Sequence, residues 1–452
     1  MGSLSKDLKI IRSDAGKIFR DSLVAVEPCK AIKNFIHLKG NRLLIGREER
    51  PKAELDISKF DRILLVGAGK AAVPMARGIE DLFGKRIRKG LINVKYGFTG
   101  KLEFTKIIEA GHPVPDQNGV LGTGKILDIL NGAGEKDLIF ALISGGGSAL
   151  MIQPAGKITL AEKQAVTRDL LACGADIKEI NAVRKHISSS KGGQMASVAF
   201  PATVINLMLS DVVGDHMDVI ASGPFVPDTS CFDDVWKIFK KYDLEMIPTA
   251  VRNHIKAGID GRIPETPKAN NKIFTRVFTY IVGDNISALE AAGVTARKLG
   301  YRTLILSSLM EGEAKELARV HTAIAMEIAK TGRPIPPPSC IISGGETTVT
   351  IRGGGLGGRN QEFCLAAALD IADFPDRIVL LSCGTDGNDG PTDAAGALVD
   401  PFTVARGKKV GISAEKFLDD NDAYHFLQKT QDLIMTGPTN TNVMDVRLVL
   451  VG

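Results

Sequence analysis

What this sequence lacks narrows its chemistry before any motif is read. No apolar run approaches the roughly 18 residues that a membrane-spanning helix requires, and the N-terminus carries no signal-peptide hydrophobic region. MGSLSK is not a myristoylation signal, because Lys6 stands where Ser or Thr is required. The six cysteines (Cys29, Cys173, Cys231, Cys340, Cys364, Cys383) form no C-x-x-C pair and no His-containing metal spacing, so they are expected to be reduced, mostly buried thiols. The net charge of +5 comes without a basic tail or a Lys/Arg run, and aromatics make up only 5% of residues, so nothing marks a nucleic-acid surface. A cytoplasmic protein with no membrane or nucleic-acid partner is the expectation.

Glycine, by contrast, is plentiful: 48 of 452 residues, against a usual share of about 7%. Hydrophobic residues reach 44%, enough for a large core, and the length argues for two or three domains. The glycines cluster where chemistry is expected. In Asp137–Ile152, DLIFALISGGGSALMI, a short aliphatic run reads as a strand buried on both faces of a parallel sheet. It is broken by Ser144, Gly145, Gly146, Gly147 and Ser148. Ligands of open α/β sheets sit beyond the carboxyl ends of strands, and consecutive glycines expose N–H groups to an anion, so this stretch is a candidate phosphate cradle. A Gly-rich turn without a ligand is the competing reading.

Residues 5–36 read as one or two amphipathic helices stopped near Pro28, followed by a polar passage. RILLVGAGKAAVPMARGIEDLF then gives strand, turn and helix, with Gly67, Gly69 and Ala72 fitting G-x-G-x-x-A. The next strand ends at Lys95 with no acid for a ribose, which argues against a nicotinamide cofactor. Lys70 sits at a helix N-terminus, where a cation is unfavourable without anionic company. GVLGTGKI (119–126) fails as a nucleotide loop, because Ile126 replaces Ser or Thr and no strand precedes it. Lys125 is therefore read as a helix-face residue.

GHPVPD holds His112 and Asp116 on a proline-fixed loop, with His112 a candidate for substrate. Two helices are expected over 159–198, the second carrying Arg184, Lys185, His186 and Lys191 as either a solvated basic face or a pocket for an acidic substrate. TVINLMLSDVVGD reads as a buried strand ending in Asp211 and Asp215, which suit Mg²⁺ or simple turn chemistry.

Residues 223–272 are rich in turn signals, and the domain boundary is expected near their end, giving domains 1–265 and 266–452. FTYIVG then opens a second βα series. A second Ser-Gly-Gly ends the run at 343–345. GGGLGGRNQEF places Gly357, Gly358 and Arg359 at a helix start, a loop expensive to order and suited to gripping phosphate or carboxylate. Thr385, Asp386, Asp389 and Asp393 follow a buried strand, with Asp386 the best-placed carboxylate. Thr439–Asn442 reads as a hydrogen-bonding wall or a turn, before a short last strand.

Taken in order, Gly67-Ala-Gly-Lys70, Gly111-His-Pro-Val-Pro-Asp116, Ser144-Gly-Gly-Gly-Ser148, Asn181-Ala-Val-Arg-Lys-His186, Lys191-Gly-Gly, Ser210-Asp-Val-Val-Gly-Asp215, Ser343-Gly-Gly-Glu-Thr, Gly357-Gly-Arg-Asn-Gln-Glu362 and Thr385-Asp-Gly resemble the class II glycerate 2-kinases. The resemblance covers nearly the whole chain; residues 223–275 match least. It implies two α/β domains, the N-terminal one Rossmann-like with a mostly parallel sheet and the C-terminal one containing the MOFRL region (about 335–450), with the active site in the cleft between them. It further implies transfer of a phosphoryl group from ATP to the C2 hydroxyl of D-glycerate, with Mg²⁺ or another divalent cation. Lys70 and Arg359 fall on active-site positions of that family. Asp211 and Asp386 are the candidates for metal or hydroxyl-proton acceptor, Asp215 a further metal candidate, and Arg184 and Lys191 candidates for substrate. The protein is expected as a monomer or homodimer. The rivals are a hydroxypyruvate or tartronate semialdehyde reductase and a non-catalytic sugar-acid sensor.

Overall fold

The computed structural model describes residues 6–244, 246–374 and 377–452; most of the MGSLSK segment lies outside them. After the helices Lys6–Ala25 and Pro28–Phe35 the chain enters a small antiparallel sheet of β1 (Ile36–Lys39), β2 (Arg42–Arg47) and β3 (Arg50–Asp56). This passage is more than the polar connector its composition suggests: Leu43, Leu44 and Ile45 are buried in it.

Six short runs then build a fully parallel sheet: β4 (Arg62–Ala68), β5 (Ile87–Lys95), β6 (Thr105–Ala110), β7 (Asp137–Ile143), β8 (Thr203–Leu209) and β9 (Val277–Gly283). Their spatial order is β6-β5-β4-β7-β8-β9. Every residue of β7 and β8 is buried, as their unbroken aliphatic runs require of strands covered on both faces. The order reverses between β4 and β7, the Rossmann arrangement, and a crevice opens at such a reversal beyond the strands' carboxyl ends. The Gly67–Lys70 turn follows β4 and the Ser144–Ser148 loop follows β7.

The second sheet is mixed. It comprises β10 (Arg302–Met310), β11 (Ser339–Gly345), β12 (Ile378–Gly384), β13 (Gly396–Val399), β14 (Leu433–Ile434) and β15 (Asp445–Val451), in the order β10-β11-β15-β12-β13-β14. Only β10 and β11 are parallel; β15 runs antiparallel between β11 and β12 with all seven residues buried. The last strand, short in the sequence reading, is thus central.

Two compact units result, Pro28–Gly283 and the chain up to Glu27 together with Asp284–Gly452. This division differs from the expected boundary at 265/266 in two ways. FTYIVG does not open the second series: as β9 it pairs with β8 and closes the first sheet. The helix Lys6–Ala25 belongs with the later residues, because its apolar face (Leu8, Ile11, Ala15, Ile18, Phe19) is buried and Arg12 bonds Asp432 at 2.9 Å. The expected second helix of 159–198 is also interrupted: it runs Ile177–His186, yields to a loop carrying Lys191, and resumes at Gln194–Ala199. All six cysteines are free thiols, three of them buried. Among the described residues no helix is long and apolar enough to cross a membrane.

The central position of β15 is testable. Leu448→Ala, at a fully buried site on it, should lower the unfolding free energy by about 2–5 kcal/mol. Leu309→Ala, 57% exposed on β10, should change it by no more than about 0.5 kcal/mol. Urea titration distinguishes them, and equal losses would contradict the buried register of β15.

Candidate active site

The turn after β4 and the loop after β7 are joined by hydrogen bonds. Ser144 N donates to Ala68 O (3.1 Å), Lys70 N to Gly145 O (2.9 Å) and Ala71 N to the Ser144 hydroxyl (3.0 Å). Ser144 therefore caps the entry to the helix Ala72–Phe83. Gly69, at φ +138°, is glycine by necessity: a Cβ there would overlap the Ser144 hydroxyl. Gly146, left-handed at φ +82°, would bring a Cβ to 3.0 Å from the His112 ring and 3.5 Å from Lys70 Cγ. The two glycine motifs read from sequence thus form one hydrogen-bonded seam, with Lys70 beside it.

Against this seam lies a cavity of about 590 Å³. His112, Gly146, Ser148, Arg184 and Lys191, all singled out in sequence, line it together with Lys163, Gln164 and Arg168. Among its described lining residues there is no aspartate or glutamate. Lys191 is 1% exposed; its Nζ donates to Ser148 O (2.8 Å) and Ala221 O (3.3 Å). Burial, with the nearby Arg184 charge, brings its ammonium down to about 7. Lys163, 2% exposed, donates to Arg184 O (3.2 Å) and Ile187 O (2.9 Å), closing the end of the helix Ile177–His186. Burial and the Lys191 and Arg184 charges hold it well below the ordinary lysine range. No acceptor among the described residues engages the Arg184 guanidinium, whose pKa is lowered by burial. The His112 Nδ1 is buried without a partner among them, and burial with the Lys70 and Lys95 charges keeps its ring neutral down to about 4. Buried cations crowded together without a carboxylate are stable only in the company of an anion, or by giving up protons.

The basic helix is not a solvated face. Capping boxes at Thr159/Glu162 and Asp176/Glu179 start the two helices, and a polar network pins the end of the second. Lys185 bonds Asp218 (3.1 Å) and Asp228 (3.2 Å), and His186 bonds Glu265 at 2.8 Å. Against the cost of burial, His186 and the N–H groups of Phe232 and Thr266 hold Glu265 down to about 2. Arg184, one residue away, is left to the cavity. Sequence reasoning missed Lys163, whose signal was a lysine on the Lys163, Val166, Leu170 buried stripe of its helix. It also missed Ala221 and Ser222, non-glycine residues in left-handed conformation (φ +52° and +62°). Such strain concentrates at functional sites; here Ser222 joins Ser148 (2.8 Å) to Asn181 (3.0 Å).

Arg359, Gly357, Gly358 and Asp386 lie in the other unit. The Arg359 guanidinium is bidentate to Asp445 (2.8 and 2.9 Å) and meets Glu346 at 3.0 Å. Against the cost of burial, these carboxylates hold its pKa above the ordinary arginine value. Arg359 therefore stands in an acid frame rather than as an isolated cation. The loop before it is ordered by the protein itself: Arg352 N and Gly353 N donate to Asn421, Gly354 N to Asp420 and Leu356 N to Asp422, at 2.7–3.1 Å. Gly358 is required because Asp389 fills the space of its Cβ, accepting from Asn360 N (3.1 Å) and Gln361 N (2.8 Å). Burial raises Asp389 to about 6. The Asp386 carboxylate accepts from Asn388 N at 3.1 Å. Asp211 and Asp215 follow β8 and do not line the cavity. Among the described residues no three His, Cys, Asp or Glu gather around a metal-sized point.

Comparison with known proteins adds the lineage. The model of a domain of unknown function, DUF4147, matches residues 14–256, and that of the MOFRL family residues 339–445. The glycerate 2-kinase of Pyrococcus horikoshii is 41% identical over 98% of this chain and 97% of its own. The crystal structure of glycerate kinase from Thermotoga maritima superposes with a TM-score of 0.87 at 39% identity, covering 98% of this chain and 100% of that one. The chain belongs to the class II glycerate 2-kinase family. A relative from Agrobacterium vitis, 38% identical over 96% of this chain and 93% of its own, carries a provisional name as a hydroxypyruvate reductase. In this member of the family, a seam of glycine loops lies beside a cationic cavity with no acid among its described lining residues.

The buried Lys191 has a signature in stability. Its ammonium titrates near 7 in the folded protein and near 10.4 when unfolded. Below pH 7 both states are charged and the full burial penalty applies; between 7 and 10 only the unfolded state keeps the proton, so stability rises with pH, by at most about 1.4 kcal/mol per unit. In phosphate- and sulfate-free buffer, the unfolding free energy of wild type should climb relative to Lys191→Met over this range. Parallel profiles would refute the assignment.

Proposed function

We propose that the protein is a D-glycerate 2-kinase that moves the γ-phosphoryl group of ATP to the C2 hydroxyl of D-glycerate, giving 2-phosphoglycerate and ADP. The observation that carries this reading is the acid-free cationic cavity at the sheet's switch point, in a chain of this family. Phosphoryl transfer needs alignment and neutralisation of charge rather than a covalent protein intermediate. Lys70, beside the seam, and Arg359, rigidly framed by Asp445, are assigned the neutralisation of the transferring phosphoryl group and the substrate carboxylate. The frame around Arg359 supports this role, because a preorganised cation stabilises a transition state without reorganising. His112, neutral at pH 7, and Arg184 are assigned to ligand.

Asp211 and Asp386 are assigned either to the metal or to the proton leaving the C2 hydroxyl, with Asp215 a further metal donor. These carboxylates suit Mg²⁺, which binds through one or two carboxylates together with substrate phosphates. These residues would hold Mg²⁺ or another oxygen-seeking divalent cation, which would supply charge neutralisation of the phosphates.

The reductase reading gains from the name of the Agrobacterium vitis relative, but Lys95 ends β5 where a nicotinamide site places an acid. Phosphorus NMR of protein with ATP, Mg²⁺ and D-glycerate should show 2-phosphoglycerate; oxidation of NADH with hydroxypyruvate and no phosphorylated product would reverse the assignment. Lys70→Ala should lower kcat/KM by about 10²- to 10³-fold, and near-normal turnover would remove Lys70 from the mechanism.

A further inference from the structure

The kinase reading leaves open which substrate the cavity in Pro28–Gly283 takes. We propose that it seats the nucleotide, with the phosphates on Arg184 and Lys191 and the base and ribose against the apolar lining residues Val114, Ile152 and Leu171. The inference rests on the kinase reading and on three further observations.

The first is size. About 590 Å³ lies within the range of about 300–1,000 Å³ that encloses drug-sized molecules, and a three-carbon acid would leave most of it unfilled. The second is that the lining is mixed. Lys163, Arg168, Arg184 and Lys191 supply positive charge, whereas Val114, Ile152 and Leu171 add apolar surface to the same cavity. Glycerate carries a hydroxyl or a carboxylate on every carbon and has nothing to set against such a surface; a nucleotide has one anionic end and one flat, apolar end. The third is exposure. Val114 is 66% and Leu171 60% exposed, and both line this cavity. A base laid across them would cover apolar surface that the protein leaves to water. The Arg184 guanidinium, which no acceptor among the described residues engages, offers the planar fork that matches phosphate oxygens. Lys191, fixed to Ser148 O and Ala221 O, adds a charge that ligand binding would restore to full protonation.

The test separates the two ends by calorimetry, without glycerate. Wild type should bind ADP, and both Leu171→Asp and Arg184→Gln should weaken it by tenfold or more. Because Leu171 is exposed, Leu171→Asp should fold normally. Adenosine should lose affinity with Leu171→Asp but not with Arg184→Gln, and pyrophosphate the reverse. In the kinase assay Leu171→Asp should raise KM for ATP and leave KM for glycerate unchanged. A raised KM for glycerate with unaltered ADP binding would give the cavity to the acid and overturn the proposal, as would ADP binding indifferent to both variants. Failure of the kinase reading looks different: no nucleotide would phosphorylate glycerate, whatever the ADP titrations gave.

Discussion

The constraint on which this structure turns is the seam between the turn after β4 and the loop after β7. Three hydrogen bonds, two of them made by Ser144, lock together two segments that would otherwise splay at the switch point of a parallel sheet. The seam dictates glycine at 69, because Ser144 occupies the space of a side chain, and favours it at 146, where His112 packs. It also fixes where Lys70 leaves the backbone and where Ser148 meets Lys191. Sequence, loop geometry and site chemistry converge there.

Around the seam the protein tolerates an electrostatic imbalance that it avoids elsewhere. In the unit of Asp284–Gly452 the buried Arg447 and the half-buried Arg359 and Arg406 are matched by acids: Arg359 and Arg447 with Asp445, Arg406 with Asp400 and Asp432. Near the cavity, Lys163, Arg184 and Lys191 meet no carboxylate among the described residues. Leaving cations buried and unmatched costs stability, and proteins keep such arrangements where activity requires them. The network of Lys185, His186, Asp228 and Glu265 makes the contrast local: on the same helix, the residues turned away from the cavity are paired, and the one turned toward it is not.

Much of this was legible in the chain. Unbroken aliphatic runs identified β7 as a buried strand of a parallel sheet and β8 as another buried strand, β4 showed as a strand entering a glycine turn, and glycine clusters marked the carboxyl ends of strands. His112, Arg184 and Lys191 reach one cavity although 79 residues separate the first from the last. What stayed hidden depended on long-range pairing. FTYIVG has the same pattern whether it opens one sheet or closes another, so β9 was assigned to the wrong unit. The C-terminal run does not reveal that it fills the middle of its sheet. The loop before Arg359 looked as if it awaited a ligand, whereas Asp420, Asn421 and Asp422, more than 60 residues on, already take up its N–H groups. Lys163 was visible in principle as a charge on an apolar stripe, but a single lysine in a helix is usually solvated.

The placement of β15 bears on how the molecule is made. The unit to which it belongs draws on the helix Lys6–Ala25, near the beginning of the chain, and cannot fill the middle of its sheet until residue 451 has been synthesised, whereas everything in Pro28–Gly283 is already available. Vectorial synthesis therefore lets Pro28–Gly283 fold while the other unit waits with an exposed amphipathic helix and a gap between β11 and β12. Until β15 arrives, the facing edges of β11 and β12 carry backbone groups with no ladder partner between them, the kind of open strand edge that invites aggregation.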